Sequence, residues 1–391
     1  MKILHVIGTP DAGGVQAYLL DLCKYDEKYG ISRNLLCLYG NEGIYKNRFI
    51  ENGVLCYACT IMPEDRGYRP YRFWKIIRKI SKSLFIFKFY KNVKILNPDI
   101  IICEEPSYLN IQLIVSRLLR KPFVWYLGNQ DQFLHVNIKI FRLFFGYFLK
   151  KHLFIISDSK ITLRSNLIHY KDILKAYWSK IPILPQTIDL KNIFIKNNQQ
   201  ISNQGNTIHL GSIGRLVWQK DYQLLIKVFA KVKRKTNNNL ILSIAGTGPL
   251  KNELIQLIQK LKLQKCIKLL GTVERKDIPS FLSSLDLYVQ SSISEGSPLT
   301  IKEAMAAALP VVSTNAGGIP EMILEGRTGF IVPHSQENKF VDSIINIVNM
   351  DSSQRLMIGE NARKYAKTHF SISSLIKKQF NYYRGIISRH S

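Results

Sequence analysis

Residues 286–318 read DLYVQSSISEGSPLTIKEAMAAALPVVSTNAGG, and the order of residue types in this stretch decides the fold class. The run DLYVQSS (286–292) has the length and apolar content of a buried strand, and PVVSTNAGG (310–318) reads as a second strand ending in a Gly-rich turn. Between them Ser297 suits the N-cap and Pro298 the first helical position, which predicts a helix running through the alanines from Ala304 to Ala308. Strand, helix and strand in succession make a parallel crossover unit. Sheets built that way take their ligands at the carboxyl ends of the strands.

The same alternation extends in both directions. The first half offers ILHVIG (3–8), LLCLY (35–39), DIIIC (99–103), PFVWYL (122–127) and LFIIS (153–157), separated by helix-length amphipathic segments. The second half offers TIHLGSIG (207–214), LILSIAG (240–246), CIKLLG (266–271) and GFIVP (329–333). Between the halves runs LKNIFIKNNQQISNQGNT (190–207), polar and without either periodicity, which reads as a linker. At 391 residues the chain exceeds what a single hydrophobic core usually serves. The expectation is therefore α/β, with two Rossmann-like domains facing each other across a cleft: 1–190, then 207–370, with 371–391 as a final helix packing back on the first.

Composition narrows the partners. No uncharged apolar stretch approaches the length of a membrane span, and ILHVIG directly after Lys2 reads as a strand, so the expectation is a cytoplasmic protein without a signal peptide. The six cysteines have no framework spacing; Cys56 and Cys59 form a C-x-x-C inside the apolar run VLCYACT, which reads as buried strand instead of metal or redox chemistry. The formal net charge of +27 favours an anionic partner. A general bias toward Lys, in a chain also rich in Ile and Asn, accounts for the charge equally well.

The predicted helix start at 297–299 would aim the free N–H groups of Leu299 and Thr300 at the strand ends, a seat for phosphate reinforced by the helix dipole. Glu295 lies in the loop before it and Glu303 inside the helix, eight residues on. Carboxylates beside a phosphate seat make sense where they accept hydrogen bonds from hydroxyls, as sugars and riboses provide. A capped surface helix with two solvated glutamates would show the same spacing.

The company these residues keep resembles the retaining glycosyltransferases of family 4, GT-B in fold, whose signature is E-x7-E, an Ala-rich helix, a strand and a Gly-rich turn. The run SEGSPLTIKEAMAAALPVVSTNAGGIPEMILEGRTGFIV (294–332) follows that pattern. So do Gly214-Arg215-Leu216 with Lys220-Asp221, the turn Gly246-Thr247-Gly248-Pro249, and Gly271-Thr272-Val273, all in the family's order. The resemblance implies that Arg215 and Lys220 hold the donor diphosphate, Glu303 the ribose, Glu295 the transferred sugar, and Val273 the base. Gly246, Ser297, Leu299 and Thr300 would complete the donor site, with Gly13 and Gly14 as the family's first glycine loop. The implied substrates are a nucleoside diphosphate sugar and a saccharide or lipid-linked acceptor, with no cofactor and no metal, in cell-surface polysaccharide or lipopolysaccharide assembly.

Two positions depart from the family. A histidine is common after the strand that here reads PFVWYLGNQD, and Gly128 or Asn129 falls at its place; Asn129 and Asp131 are the acceptor-side candidates, with His135 close by. Pro185-Gln186-Thr187-Ile188-Asp189 stands where the family has Pro-Asn-Gly-hydrophobic-Asp. These departures keep a second reading open, a subunit that binds donor without turning it over.

From Arg66 to Lys94 there are ten basic residues and no acidic one. At helical spacing Phe73, Ile76, Ile77, Ile80, Leu84 and Phe87 share one face and Arg72, Lys75, Arg78, Lys79 and Lys82 the other. A helix packed on the first sheet with a solvated basic face is one reading. Contact with an anionic membrane surface, peripheral on its inner face, is the other. A nucleic-acid-binding protein is a third reading, resting on charge alone; nucleic acid is not the expected partner, because no recognised binding motif accompanies the charge.

Overall fold

The computed structural model of the protein describes residues 1–10, 13–59, 73–105, 109–128, 153–167, 181–191, 193 and 207–390, with side chains described from Leu84 onward in the helix that opens at Phe73. The chain divides into two compact units. One comprises Met1–Asp158, Leu163–Leu184 and Ile376–Ser391, the other Ser159–Thr162 and Pro185–Leu375. The stretch Pro185–Asp189, assigned to the first domain from sequence, lies in the second unit. The last helix rejoins the first unit from Ile376.

The first unit holds a six-stranded parallel sheet in the order β3-β2-β1-β4-β5-β6. Its strands are β1 (Lys2–Ile7), β2 (Ser32–Cys37), β3 (Leu55–Ala58), β4 (Ile100–Cys103), β5 (Phe123–Leu127) and β6 (Leu153–Ser157). Both β4 and β5 are buried at every residue, as strands covered on two faces must be, which is why their sequences IIIC and FVWYL do not alternate. The covering helices include α1 (Gly14–Cys23), α2 (Asp26–Tyr29), α3 (Lys46–Glu51), α4 (Phe73–Leu96) and α5 (Leu109–Leu118).

The α4 helix forms where expected, but in its described part, from Leu84 onward, a different face is turned inward. Phe85, Phe89 and Val93, at i, i+4 and i+8, enter the core with Leu4, Leu36 and Ile101. Leu84 and Phe87, grouped with the apolar face from sequence, are exposed. A period of 3.6 residues lets only one set reach the sheet, and the larger aromatic pair, ring centroids 5.8 Å apart, takes it. Phe73, Ile76, Ile77 and Ile80, and the basic face from Arg72 to Lys82, have side chains outside the described residues.

A buried polar set lies under the first sheet, with no signal in the hydrophobic pattern. Arg33 donates to both oxygens of Asp26, at 2.8 and 2.9 Å, and to Nε2 of His5. A guanidinium only donates, so Nε2 accepts and the His5 ring carries its proton on Nδ1, directed at Glu104 Oε1 3.3 Å away. Burial pushes the Glu104 carboxyl up to about 8, while burial and then Arg33 hold His5 well below its usual range. The final helix, Ile372–His390, closes over this side: Gln379 donates to the hydroxyls of Tyr18 and Tyr383, and Phe380 meets Tyr29 edge-on at 5.4 Å.

The second unit repeats the winding. Its parallel sheet has the order β12-β11-β10-β7-β8-β9, made of β7 (Thr207–Ile213), β8 (Asn239–Ala245), β9 (Ile267–Gly271), β10 (Leu287–Gln290), β11 (Val311–Thr314) and β12 (Gly329–Val332). The chain winds outward from β7 through β9, then returns to lay β10 against the other side of β7. All six cysteines are free thiols; Cys59 is fully buried after β3, but β3 itself, at the sheet edge, is exposed or half-buried with Cys56, so the run VLCYACT forms an edge strand instead of the buried one expected. Among the described residues no helix is long and apolar enough to cross a membrane.

Candidate functional site

Where strand order reverses, neighbouring loops separate and leave a crevice at the carboxyl edge of a doubly wound sheet. In the second unit that point lies between β7 and β10. The loop after β7 carries Arg215 and Lys220, and the loop after β10 carries Glu295. The two meet there: Lys220 Nζ donates to Glu295 Oε1 at 2.5 Å, with the side chains 20% and 10% exposed. Gln290 Nε2 and Ser292 Oγ donate to the same oxygen at 2.7 and 2.6 Å. Three donors therefore fix one carboxylate oxygen, and Oε2 keeps its acceptor capacity.

The loops are braced by backbone. Ser291 Oγ donates to the carbonyls of Lys220 and Asp221, the amide of Ile293 to that of Gln219, and Thr314 Oγ1 to that of Ser292. Gly317 has φ +54°, and a Cβ there would lie 1.7 Å from the Glu295 carbonyl. The adjoining Gly318 amide donates to Gly296 O at 2.7 Å. The Gly-rich turn thus presses directly on the Glu295 loop, where no side chain fits. Gly246 does the same for the other loop: φ is +144°, and a Cβ would stand 1.9 Å from the Gly214 carbonyl. Its glycine identity is explained by this packing, which gives it a supporting part beside the neighbour of Arg215.

The helix between β10 and β11 runs from Leu299 to Ala306, one residue later than predicted. Pro298 occupies the cap position and Ser297 does not cap, because its hydroxyl is turned to the Met322 sulfur at 3.6 Å. The amides of Leu299 and Thr300 consequently have no hydrogen-bond partner among the described residues, the unsatisfied donors a helix start presents. Nearly the whole helix is buried, Lys302 included at 0% exposure. That ammonium donates to Gln186 O at 2.7 Å and lies 5.5 Å from the Phe370 ring centroid, partners that offset its desolvation. With Lys302 anchored, Glu303 follows at 2% exposure and its carboxylate is ion-paired to Arg275 in the loop after β9.

The structure therefore brings Arg215, Lys220, Glu295, Ser297, Leu299, Thr300 and Glu303 to one edge of one sheet. Val273 sits half-buried on the loop after β9 that also carries Arg275. Asp221 is engaged elsewhere, capping the helix Tyr222–Lys235 through Leu224 N and accepting from His334 Nε2 at 2.9 Å, which rules it out as partner of Lys220. Arg215 is exposed and has no ion-pair partner among the described residues. In the first unit Gly13 precedes α1, and a Cβ on Gly14 would meet nothing within 4 Å. Gly128 directly follows β5, whereas Asn129, Asp131 and His135 lie outside the described residues.

Sequence reasoning missed Gln290, Ser292, Arg275 and Lys302. The first two sit at the end of the strand that precedes Glu295, and Arg275 in a loop already singled out for Val273, so position at a strand's carboxyl end was the available signal. Lys302 had none, since a lysine in a helix is ordinarily solvated. At this edge two carboxylates each hold a cation, and Arg215 and two amides have no such partner among the described residues. Such an edge can take up an anion on Arg215, Lys220 and the helix start, and hydroxyl donors on Glu295 and Glu303.

Comparison with known proteins shows what this geometry is similar to. Residues 194–365 match the family described as glycosyl transferases group 1. An uncharacterized glycosyltransferase of Methanocaldococcus jannaschii is 31% identical over 64% of this chain, and the match spans 62% of that relative's length. A UDP-Gal:alpha-D-GlcNAc-diphosphoundecaprenol alpha-1,3-galactosyltransferase of Escherichia coli is 24% identical over 97% of this chain and 95% of its own. Among solved structures, Anabaena HepE in complex with UDP superposes with a TM-score of 0.76 at 20% identity, covering 98% of this chain and 100% of that one. The stretch 194–365, which contains every residue of the second unit's site, thus resembles the glycosyl transferases group 1 family, in a chain with the GT-B fold of two Rossmann-like α/β domains.

Proposed function

We propose that the protein transfers a sugar from a nucleoside diphosphate sugar to an acceptor, with retention at the anomeric carbon and without a metal. The observation that carries this reading is the pairing of Lys220 with Glu295 at the β7/β10 switch point, beside the amides of Leu299 and Thr300, which have no partner among the described residues. Arg215 and Lys220 hold the diphosphate and stabilise the charge that develops on it as the glycosidic bond breaks, the task a divalent cation performs elsewhere. Ribose hydroxyls donate to Glu303, which releases Arg275 or shares it, and the base lies along Val273. Glu295 offers Oε2 to a hydroxyl of the transferred sugar while three donors keep Oε1 in place. Retention follows from the resemblance to family 4.

Uridine diphosphate sugars are the first donors to test, because HepE is solved with UDP and with UDP-glucose. The relative that this chain matches along nearly its full length acts on a sugar linked to diphosphoundecaprenol, which supports a lipid-linked acceptor in cell-surface polysaccharide assembly. The test is a thermal-shift screen of nucleoside diphosphates and nucleotide sugars, followed by assay of donor hydrolysis with the best ligand; a ligand that binds only the folded chain raises its unfolding temperature. Stabilisation without turnover would favour the second reading, a donor-binding subunit, which rests on Gly128 standing where the family has a histidine. No stabilisation by any nucleotide would refute both.

A further inference from the structure

The face shared by α4 and α5 in the first unit has a composition that the donor chemistry does not use. Phe87 is 64% exposed and Leu118 68%, with Ile86 and Ile114 also exposed; together with Tyr90 and Ile111 they line a groove of about 250 Å³. Single exposed apolar residues are ordinary, but a contiguous patch of this kind marks a contact surface. Its charge identifies the partner. Phe87, Lys91 and Lys94 fall at i, i+4 and i+7 on the exposed side of α4, and the Lys94 ammonium lies 5.9 Å from the Tyr90 ring centroid at the groove's edge. Arg120 stands exposed just past the end of α5. Neither the stretch from Phe73 to Leu96, with seven Lys and Arg, nor that from Leu109 to Lys121 contains an acidic residue.

A second copy of the chain fits poorly, because a two-fold contact through this face would set lysine rows against each other. An anionic bilayer fits on both counts: apolar side chains enter the acyl boundary, and cations on long apolar stems reach the phosphates. We propose that the α4/α5 face seats the protein on an anionic lipid surface, with Ile86, Phe87, Ile114 and Leu118 inserted and Lys91, Lys94 and Arg120 meeting the headgroups. The contact is thereby centred on residues 86–94 and α5, C-terminal to the Lys75 to Lys82 region that the sequence pattern pointed to.

The test is cosedimentation of the full chain with phosphatidylcholine vesicles, with and without phosphatidylglycerol. Wild type partitions onto the anionic vesicles alone. Replacing Lys91→Gln and Lys94→Gln lowers the partition coefficient by about 30-fold at low salt, from the usual contribution of each lysine near an anionic surface. Phe87→Ser with Leu118→Ser abolishes stable binding. Both double variants keep the wild-type unfolding temperature and donor hydrolysis, which separates this surface from the site of the second unit. Failure of wild type to bind, or binding of both variants as tight as wild type, overturns the proposal. So does sedimentation velocity that finds a dimer which Phe87→Ser with Leu118→Ser converts to monomer.

Discussion

Replacing Lys220 and Arg215 one at a time by alanine separates the stability of the site from its chemistry, because the two cations are held so differently. Lys220 is paired at 2.5 Å with a carboxylate oxygen that also takes Gln290 and Ser292, so Lys220→Ala leaves Glu295 with two neutral donors and no counter-charge. A charge-assisted hydrogen bond contributes roughly 1.5 to 3 kcal/mol when buried. The pair is partly open, and screening brings the expected loss to about 1 kcal/mol. For a domain of this size that lowers the unfolding temperature by about 2 to 4 °C. Arg215 has no such partner among the described residues and is exposed, so Arg215→Ala leaves the unfolding temperature within error of wild type. Both variants lose donor turnover by a factor of roughly 10² to 10³, the cost of removing one preorganised charge from a leaving group, about 2.7 to 4 kcal/mol. The assay pairs differential scanning fluorimetry with release of nucleoside diphosphate from a nucleotide sugar. A further variant, Lys220→Ala with Glu295→Gln, should be more stable than the sum of the single effects, as neighbouring residues couple. Near-wild-type turnover in either single variant would refute the assignment of both cations to the diphosphate.

Turnover should persist in EDTA, since side chains fill the cation role; complete loss restored by a divalent metal would show the leaving group to be held otherwise. Glu303→Ala should raise the dissociation constant for nucleoside diphosphate about tenfold, because a ribose hydroxyl bonds Glu303 equally in the ground and transition states. Glu295→Gln should chiefly lower kcat, and equal effects of both on affinity would contradict the division. Glu104 binds its proton more tightly in the folded chain, with a value raised by burial to about 8, so it contributes stability at acid pH that is lost as pH rises from the ordinary carboxylate range through about 8. Glu104→Gln keeps the neutral form throughout and should flatten the fall in unfolding temperature over that window; parallel pH profiles for the two proteins would show that Glu104 is not the titrating group.

The parallel winding and the position of the candidate residues at the β7/β10 edge were legible because each leaves a local trace. Buried parallel strands give continuous apolar runs such as IIIC and FVWYL, and a Pro followed by an Ala-rich segment fixes a helix start to within one residue. Arg215, Lys220, Glu295 and Glu303 stood in recognisable blocks. What stayed hidden depends on partners distant in sequence. Ser297 was a sound cap candidate by type, yet Met322 takes its hydroxyl. The α4 helix offers two apolar faces of similar strength, and only packing against Leu4, Leu36 and Ile101 decides which is buried. Lys302 and Arg275 look like surface cations until Gln186 and Glu303 are seen beside them.

The first unit is completed by residues that follow the whole of the second. Tyr18, Tyr29 and the polar set around Arg33 are synthesised early, but Gln379, Phe380 and Tyr383, which cover that side, emerge from the ribosome only after the second unit has been made. Vectorial synthesis therefore exposes an incomplete N-terminal core throughout that interval. Its apolar surface has to be kept from aggregation meanwhile, and truncation at Ile376 disturbs the part of the fold that was made earliest, with soluble yield as the observable most sensitive to it.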